Sequence, residues 1–329
     1  MSTTPLVSIC CQTYNHIDYI AETLDSFLMQ KTDFEFEILL RDDASTDGTT
    51  EICHRYANKY PNKIKLLAYT ENQWQRGISP FRDNVKRAQG KYIAMCEGDD
   101  YWTDSDKLQI QVDLIEKHNV GISFHAAEIL SYNKDKINSD KSTFFYGDDI
   151  KVLSVTDIID ANGKTLNTPL ASFVLKKEIL DQLKSKDLEF YSNNLQHSFI
   201  ILWMTYCSKA LYVPRFMSVY RKSHVESWTY KMKSDFTFKK DYSLKTIKSY
   251  TKFDKITEFE FSSKIKKSID KRIFSILKNI NIPLKERNDF FKELKDQVNF
   301  KNRVLWFFIF KRKNVLQFIN WLFKSYRQL

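Results

Sequence analysis

Glycine is scarce in this sequence. Only 7 of the 329 residues are glycine, whereas an average usage of about 7% corresponds to roughly 23. This composition excludes collagen-like chains, glycine-rich linkers and other low-complexity polypeptides. Hydrophobic residues make up 43% of the chain, which is enough to bury a core and more than a disordered chain contains. We therefore expect a folded protein.

Long apolar runs are also missing. The run Val304–Phe310 is far shorter than the roughly 18 residues that a membrane span requires. Near the other end, Leu6–Cys11 is too short for the apolar part of a signal peptide, and Met1–Pro5 carries no basic residue. We expect a protein that is neither secreted by the usual route nor transmembrane, and that resides in the cytoplasm.

The cysteine pattern gives no indication of a zinc site or a redox motif. The five cysteines stand at positions 10, 11, 53, 96 and 207, an odd number without a Cys-x-x-Cys pair. Buried, reduced thiols are the expectation for such a chain in the cytosol.

Acidic residues are scarce in the last hundred residues. Residues 231–329 contain 25 Lys and Arg against 10 Asp and Glu, whereas residues 1–230 contain 26 against 31. This asymmetry predicts two regions, 1–230 and a basic helical region at 231–329.

Aromatic residues stand beside Lys and Arg in residues 299–329. This combination suits a helix at anionic headgroups, so a peripheral contact with the inner face of the cell membrane is expected. A helical subdomain that packs against the rest of the chain is the alternative. Nucleic acid is not an expected partner, because the lysines are spread over several helices without a recognition motif.

Apolar runs and amphipathic segments alternate along the first 128 residues. Apolar residues spaced three and four apart predict helices over 17–28, 49–60, 81–89 and 107–117. The predicted strands are Val7–Cys11, Phe36–Leu40, Ile64–Ala68, Tyr92–Cys96 and Gly121–Ala127. This alternation is typical of βαβ units and predicts an α/β fold with a doubly wound, mostly parallel sheet.

The pattern is less regular after residue 128. Residues 133–149 are expected to be irregular, Leu170–Leu175 is predicted as a strand, and Ala210–Val213 and Ser218–Arg221 as two short extended pieces. Beyond residue 231, long helices are predicted from apolar residues at helical spacing, which are Ile265, Ile269, Ile273, Ile276, Leu277 and Ile280.

Polar clusters follow three of the predicted strands. They are QTYN after the first strand, RDDAS after the second and EGDD after the fourth. Ligands of open α/β sheets bind beyond the carboxyl ends of the strands. The three loops therefore predict one site at one edge of the sheet.

Asp99 and Asp100 directly follow a hydrophobic strand. Adjacent carboxylates at such a position repel each other and lose hydration, so a cation is expected to compensate them. Mg²⁺ or Mn²⁺, which also bind substrate phosphates, suit this role. A solvated turn is the alternative for this pair taken alone.

A second acidic pair, Asp42 and Asp43, ends the second strand in the same manner. Ser45, Thr46 and Asp47 follow and offer oxygens that cap the next helix. Capping is the first interpretation of Asp47. Because capping oxygens are plentiful here, Asp43 is expected to contact a ligand.

Three blocks together resemble the nucleotide-sugar-binding half of the family 2 glycosyltransferases. They are VSICCQTYNHIDYIAETLDSFLMQ, EILLRDDASTDGT and GKYIAMCEGDDYW. The resemblance covers residues 6–128 and continues more faintly through LASFVLKKEIL (170–180) and FMSVYRKSHVESW (216–228). It implies a nucleotide-diphosphosugar transferase (GT-A) fold, an inverting mechanism, a divalent Mn²⁺ or Mg²⁺ ion and a nucleotide-sugar donor. It also implies a glycan or lipid-linked glycan acceptor in bacterial surface polysaccharide synthesis, such as that of capsule or O-antigen.

The resemblance assigns three residues to the nucleobase. Tyr14 would flank the base, near Gln12, and Asp43 would accept a hydrogen bond from the uracil ring. A UDP-sugar is therefore the implied donor.

The resemblance also assigns the acids after the fourth strand. Asp99 would face the ribose, and Asp100 would coordinate the metal. Glu97 takes the place of the first acid of the family's motif. Arg221 and His224 are implied near the diphosphate or the metal, and a structural ion pair is the alternative for Arg221.

The base of an inverting transfer is commonly an Asp in relatives, placed before the helix that precedes the Tyr220-Arg221 segment. Counting back from that segment leads to His197, which departs from the family pattern. Imidazole has a pKa near 6.5, which is suited to base catalysis at neutral pH. A surface or helix-capping histidine is the alternative interpretation, and Glu189 is a rival base.

The same departure keeps a second function open. A non-catalytic nucleotide-sugar-binding or membrane-docking module would also contain these blocks without a working base.

Overall fold

The chain folds into two units. Residues 1–225 form the N-terminal unit and residues 226–329 the C-terminal unit. The structure, a computed structural model, describes residues 4–133, 136–141, 146–161, 168–186, 197–222 and 227–311. The boundary predicted from charge, between residues 230 and 231, falls inside the helix Trp228–Ser234.

The N-terminal unit contains a ten-stranded sheet. Its strands are β1 (Val7–Thr13), β2 (Phe36–Asp42), β3 (Ile64–Ala68), β4 (Tyr92–Glu97), β5 (Tyr101–Trp102), β6 (Ile122–Asn133), β7 (Lys136–Lys141), β8 (Lys151–Leu153), β9 (Val174–Lys176) and β10 (Ala210–Lys222). They lie in the order β3-β2-β1-β4-β9-β6-β10-β5, with β7 paired to β6 and β8 paired to β10.

Most of the paired residues belong to parallel ladders. β1 pairs in parallel with β2 and β4, β2 with β3, and β6 with β10. β9 lies antiparallel between β4 and β6, so β1, β2, β3, β4, β6 and β10 point in one direction. Parallel sheets are covered on both faces, which agrees with the complete burial of β1 and β2. The predicted α/β fold with a mostly parallel sheet is confirmed.

The helices described in this unit alternate with the strands, as predicted. They are α1 (Ile20–Leu28), α2 (Thr49–Lys59), α3 (Pro80–Arg87), α4 (Lys107–His118), α5 (Val155–Ala161), α6 (Lys177–Lys186) and α7 (His197–Ser208). In α1, Ile20, Leu24 and Phe27 are buried at spacings of three and four residues. This spacing places one apolar stripe against the core.

Two expectations for the middle of the chain are wrong. Lys136–Lys141, expected to be irregular, form β7, because their backbone pairs antiparallel with β6. Leu170–Ser172, expected to be extended, form a 3₁₀ turn. In that turn the N–H and the hydroxyl of Ser172 both donate to the carbonyl of Pro169.

The two short extended pieces predicted near residue 215 are one strand, β10. Its pairing with β6 shifts between Val213 and Ser218. Pro214 lies in this interval and has no N–H to donate to a ladder, which explains the local interruption.

The C-terminal unit consists of helices in its described part. They are α8 (Trp228–Ser234), α9 (Phe236–Ile256), α10 (Ser262–Lys278), α11 (Leu284–Glu293) and α12 (Phe300–Lys311). The apolar residues predicted to line one face of α10 are buried as far as Leu277. The prediction is wrong for Ile280, which is 76% exposed because α10 ends at Lys278. Within the described residues, no helix combines the length and the apolar composition that crossing a membrane would require.

Candidate functional site

The carboxyl ends of β1, β2 and β4 meet at one edge of the sheet. In the parallel register Gln12 lies beside Glu97, and Thr13 lies beside Asp42. The pairing continues past the strand end, since the N–H of Gly98 donates to the carbonyl of Gln12 at 2.8 Å. The structure thus brings together the beginnings of the three polar loops.

Three carboxylates cluster after β4. One ligand oxygen each from Glu97, Asp99 and Asp100 lies within 4.8 Å of the others. Asp100 is fully buried, and its Oδ1 accepts a hydrogen bond from the backbone N–H of Arg221 at 2.9 Å. Its Oδ2 has no hydrogen-bond partner among the residues that the structure describes. A cation satisfies such a buried oxygen.

The charges in this cluster oppose one another. Burial, together with the charges of Asp99 and Glu97, raises the pKa of Asp100 well above its ordinary value, and Arg221 only partly offsets this. Burial and the charge of Asp99 also raise the pKa of Glu97 to about 8, although a side-chain hydrogen bond from Gln12 lowers it. A counter-charge is therefore required if all three carboxylates are to be ionised. The all-oxygen donor set of this cluster fits Mg²⁺ or Mn²⁺.

Gly98 allows the loops after β1 and β4 to approach closely. A Cβ at this position would lie 2.6 Å from Oγ1 of Thr13 and 3.0 Å from Nδ1 of His16, so a larger residue would force the loops apart. Nε2 of His16 lies 3.9 Å from Oδ2 of Asp99. Sequence reasoning did not single out His16, and its signal was a titratable side chain in the polar segment after β1.

Asp47 connects the loops after β1 and β2. It accepts hydrogen bonds at 3.0 Å from the N–H groups of Ile17 and of Thr49, the first residue of α2. Burial raises the pKa of Asp47, but the hydrogen bonds from the hydroxyl of Thr49 and from these two N–H groups lower it below the ordinary value. Asp47 thus satisfies an N–H of the first turn of α2, as the capping interpretation requires, although Gly48 is the residue that precedes the helix.

Ala44 adopts a left-handed backbone conformation in the loop after β2, with φ of 62°. Asp42 holds this turn, because its carboxylate accepts hydrogen bonds from the N–H and the hydroxyl of Ser45 and from the hydroxyl of Thr50. The first acid of this pair therefore has a structural role.

Asp43 lies beneath the loop that follows β3. Its Oδ1 accepts hydrogen bonds from the N–H of Gln73 at 2.9 Å and from Nη2 of Arg41 at 3.1 Å, and its Oδ2 accepts from the N–H of Trp74 at 3.0 Å. These bonds use three of the roughly four acceptor positions of a carboxylate, and Asp43 is 4% exposed. These hydrogen bonds position residues 73 and 74. The contact of Asp43 with a nucleobase stays a prediction.

Three further side chains lie at this edge. Tyr14 is half-buried, and Trp74, held to Asp43 through its N–H, is 49% exposed. Sequence reasoning missed Trp74, and its signal was an aromatic residue in the polar segment NQWQRG. The side chain of Gln12 is buried and forms a hydrogen bond with Glu97, so it contacts the acidic cluster.

Arg221 lies in β10, one position before its end at Lys222, and contacts the acidic cluster. Its Nη1 donates to the carbonyl of Asp99 at 2.7 Å, and its Nη2 pairs with the carboxylate of Glu22. The structural ion pair, given above as the alternative for Arg221, is therefore confirmed. A direct contact of Arg221 with a donor diphosphate stays a prediction, and His224 lies outside the described residues.

His197 is the first residue of α7 and is half-buried. Burial lowers the pKa of His197 below its ordinary value of 6.5, so its imidazole is neutral near pH 7 and able to accept a proton. Its role as a base stays a prediction. The rival candidate, Glu189, lies outside the described residues.

Comparison with known proteins defines the class of protein to which this fold and site belong. The model of the family described as "Glycosyl transferase family 2" matches residues 8–181, more than half of the chain. The chain therefore belongs to glycosyltransferase family 2, and the resemblance seen in the sequence is confirmed.

Three bacterial proteins illustrate the similarity. An uncharacterised protein of Mycobacterium tuberculosis is 40% identical over 126 residues, 38% of this chain and 36% of its own length. The putative teichuronic acid biosynthesis glycosyltransferase TuaG of Bacillus subtilis is 32% identical over 151 residues, 45% of this chain and 58% of TuaG. The putative glycosyltransferase EpsE of Bacillus subtilis is 37% identical over 118 residues, 36% of this chain and 41% of EpsE. The matched segment thus spans less than two thirds of each relative.

Two solved structures share the fold. Residues 1–349 of TarS from S. aureus, in complex with UDP-GlcNAc, superpose with a TM-score of 0.60 at 18% identity, covering 91% of this chain and 83% of TarS 1–349. The mannosyltransferase PcManGT of Pyrobaculum calidifontis, in complex with GDP-Man and Mn²⁺, gives a TM-score of 0.51 at 16% identity, covering 94% of this chain and 85% of PcManGT. The expected GT-A-like fold is confirmed.

Proposed function

We propose that this protein is an inverting, metal-dependent glycosyltransferase. It transfers a sugar from a nucleotide-diphosphate donor, a UDP-sugar, to a glycan or lipid-linked glycan during synthesis of a bacterial surface polysaccharide such as capsule or O-antigen. The observation that carries this proposal is the fully buried Asp100, whose Oδ2 lacks a hydrogen-bond partner among the described residues and lies in an acidic cluster where parallel strands end. Membership of glycosyltransferase family 2 supports it.

In the proposed cation site Asp100 binds Mn²⁺ or Mg²⁺ within the acidic cluster, and His224, which lies outside the described residues, is the further ligand that the family resemblance implies. When bound, the ion would neutralise the negative charge that develops on the leaving diphosphate. The buried, unsatisfied oxygen of Asp100 fits this role, since hard divalent cations prefer carboxylate ligands. The Mn²⁺ in the PcManGT complex, which shares the fold, supports a cation of this kind.

The proposed donor site lies along the same edge of the sheet. Tyr14 flanks the nucleobase near Gln12, Asp43 accepts from the uracil N–H, and Asp99 faces the ribose, while Arg221 is the residue assigned from sequence to the diphosphate. The UDP-GlcNAc bound by TarS and the assignment of TuaG to teichuronic acid synthesis support a UDP-sugar and a cell-surface glycan.

His197 is the proposed general base, with Glu189 as the rival. In an inverting transfer the acceptor hydroxyl attacks from the face opposite the leaving diphosphate, so its base lies across the site from the cation. The lowered pKa of His197, caused by its burial, leaves the imidazole neutral and able to take the hydroxyl proton near pH 7.

Donor hydrolysis tests the proposed activity against the alternative, a non-catalytic nucleotide-sugar-binding module. The protein is incubated with UDP-, GDP- and CDP-sugars and Mn²⁺, and release of nucleoside diphosphate is measured. We expect release from a UDP-sugar and its loss on addition of EDTA. Tight binding of UDP-sugars without release or transfer would support the alternative. Calorimetry gives the affinities for UDP, GDP and CDP, and equal affinity for all three would contradict the role of Asp43.

The variant Asp100→Asn is predicted to lose Mn²⁺-dependent release and transfer while keeping the fold, because the amide is isosteric but carries no charge to hold a cation. Asp113→Asn, at an exposed position of α4 that contacts Gln109, is the matched control and should retain activity. Circular dichroism checks the fold of both. Near wild-type turnover of Asp100→Asn in EDTA would contradict the cation site.

A membrane contact through residues 299–329 is a second proposal, with an anionic phospholipid surface as the partner. Phe307, in this segment, is 48% exposed, within a region of high positive charge. Exposed apolar side chains together with Lys and Arg bind anionic headgroups. This would place the protein at the inner face of the cell membrane.

Vesicle pelleting tests the membrane contact. Vesicles of phosphatidylglycerol should pellet the protein at low salt and release it at high salt, whereas phosphatidylcholine vesicles should not bind. Phe307→Ser, within the proposed segment, should bind more weakly. Phe259→Ser is the control, because Phe259 is 64% exposed but lies outside residues 299–329. Unchanged binding of Phe307→Ser would contradict this surface.

A further inference from the structure

Arg221 contacts two distant segments of the chain at the acidic cluster. Its backbone N–H donates to Oδ1 of Asp100 at 2.9 Å, and its Nη1 donates to the carbonyl of Asp99 at 2.7 Å. Its Nη2 pairs with Glu22 of α1, a residue 199 positions earlier in the chain. One side chain therefore joins β10, the loop after β4 and α1.

Two aromatic rings lie close to the guanidinium of Arg221. The centre of the Tyr19 ring lies 4.8 Å from its carbon Cζ, and that of the Tyr101 ring lies 4.5 Å away. Arg221 is only 5% exposed, whereas the side chain of Glu22 is 53% exposed. The guanidinium is thus fixed in orientation, with its charge directed to an acid at the surface.

The backbone around Arg221 is fixed as well. β5, which follows Asp100 directly, pairs antiparallel with β10, with Trp102 opposite Ser218 and Tyr101 opposite Val219. Two residues further along β10, Arg221 reaches back to the loop. The carboxylate loop is therefore held at both its backbone and its side chains by the same strand.

We propose that Arg221 is a positioning residue of the cation site: it holds the Asp99–Asp100 loop so that Oδ1 of Asp100 is occupied and Oδ2 is left for a divalent cation. This inference rests on the proposed function, which supplies the cation. It replaces the role assigned to Arg221 from sequence, a direct contact with the donor diphosphate.

The contacts favour positioning over direct binding. Nη1 and Nη2 each already have a protein partner, and the guanidinium also contacts two aromatic rings. A diphosphate that approached Nη2 would compete with Glu22 for this nitrogen. Residues that orient metal ligands in this way typically change metal affinity about 10–100-fold when replaced.

Calorimetry with UDP as the probe tests the inference. The affinity for UDP is measured in EDTA and in Mn²⁺, and the ratio of the two is the gain due to the cation. Arg221→Met should lower this gain about 10–100-fold, with the affinity in EDTA nearly unchanged. Arg221→Lys retains the charge but not the planar donors, so it should restore only part of the gain. The backbone N–H to Asp100 persists in both variants, so the comparison isolates the guanidinium.

Glu22→Gln distinguishes positioning of the cation site from direct contact with the diphosphate, and it leaves the buried Arg221 in place. If Arg221 is a positioning residue, freeing it from the charge of Glu22 should not raise the affinity for UDP in EDTA. Arg215→Met is the matched control, because the exposed Arg215 side chain forms an ion pair with Asp104 at 2.6 Å. The gain from Mn²⁺ in this variant should equal that of the wild type. Thermal unfolding shows which variants fold. If Arg221→Met does not fold, Arg221→Lys and Glu22→Gln decide whether Arg221 positions the cation site or contacts the diphosphate.

Three results would overturn the inference. One is a wild-type gain that Arg221→Met and Arg221→Lys retain in full. Another is an equal loss of UDP affinity in EDTA and in Mn²⁺, or a higher affinity of Glu22→Gln in EDTA, which would mark a direct contact with the diphosphate. The third is a wild type without any gain from Mn²⁺, which would overturn the proposed metal dependence together with the inference, whereas the first two leave the proposed function standing.

Discussion

Burial shifts the pKa values of two single residues, His197 and Lys107, in the same direction. Desolvation lowers the pKa of His197 below 6.5 and the pKa of Lys107 to about 7, because an apolar environment disfavours the charged form of a base. For His197 the consequence is a neutral imidazole at neutral pH. For Lys107 it is a link between pH and stability.

His197→Ala is predicted to reduce turnover about 10²–10⁴-fold, the usual contribution of a general base, with little change in donor affinity. In the wild type, activity should decline only as the pH falls below the ordinary imidazole range, since the pKa of His197 is lowered by burial. His197→Asp should restore part of the activity. His118→Ala, at an exposed position in the last turn of α4, is the control. If His197→Ala keeps more than about half the wild-type rate between pH 6 and 8, the general base is assigned to Glu189 instead.

Lys107 is predicted to make the protein more stable as the pH rises from about 7 to about 10. This lysine is fully buried in α4, donates to Oε1 of Gln111 at 2.7 Å and lies 4.1 Å from the centre of the Trp102 ring. Its pKa is lowered to about 7, chiefly by burial, so above pH 7 the unfolded chain binds more protons at this site than the folded chain. The free energy of unfolding therefore rises by up to about 1.4 kcal/mol per pH unit.

The measurement is urea unfolding between pH 6 and 10, compared between the wild type and Lys107→Met. The variant should lack this part of the pH dependence, because Met cannot titrate. Lys117→Met, on the exposed face of the same helix, should follow the wild type. Parallel curves for the wild type and Lys107→Met would show that the pKa of Lys107 is not lowered.

At the scale of elements, the turn from β2 into α2 carries local strain. Ala44 has φ of 62°, a conformation that costs an L-residue roughly 1–2 kcal/mol and glycine little. Ala44→Gly should raise the free energy of unfolding by up to about 1 kcal/mol, the strain relief exceeding the extra entropy of the unfolded glycine. Ala57→Gly, inside α2, is the matched control and should lower it by about 1 kcal/mol. Denaturant unfolding of both variants is the measurement. Equal decreases in the free energy of unfolding would refute strain at Ala44.

The elements that the sequence predicts correctly are those with a strong local pattern. The strands at Val7, Phe36, Ile64 and Tyr92 are apolar runs bounded by polar breaks, and the structure has all four. β7, by contrast, has the polar sequence KINSDK and owes its extended form to pairing with β6. A local pattern does not contain the partner strand, which is why this element was missed.

At the scale of the whole molecule, the free cysteines report on the integrity of the N-terminal unit. Cys10, Cys11, Cys53 and Cys96 are buried, and Cys207 is half-buried. Burial raises the pKa of Cys207 to about 11 and raises the pKa of each of the other four thiols. Reaction with an aromatic disulfide reagent requires an exposed thiolate.

The native protein is therefore predicted to react slowly, and only at Cys207, whereas all five cysteines react after unfolding in guanidinium chloride. Absorbance of the released thiolate gives the number of reacting groups over time, and Cys207→Ser is the control that should abolish the native reaction. Fast modification of two or more thiols in the native protein would contradict the burial described above.

The sequence by itself determined the α/β class and the family, and it pointed to the acidic residues that the structure brings together in one cluster. These depend on apolar periodicity and on short runs such as RDDAS and EGDD, in which neighbours along the chain remain neighbours in space. The sequence did not determine which side chains serve structure and which are left for a ligand. Both Asp43 and Arg221 were assigned to the donor, and each of them has a protein partner at least 30 positions away in the chain.

Only the tertiary structure decided how the carboxylates are held. The pairing of β5 with β10 and the contact of Arg221 with Glu22 join residues more than a hundred positions apart. Such contacts arise when the whole chain has folded, because their energy depends on burial and on partners that no local pattern encodes. The same reason applies to Oδ2 of Asp100, which lacks a partner within the described residues because the fold buries it beside two other acids.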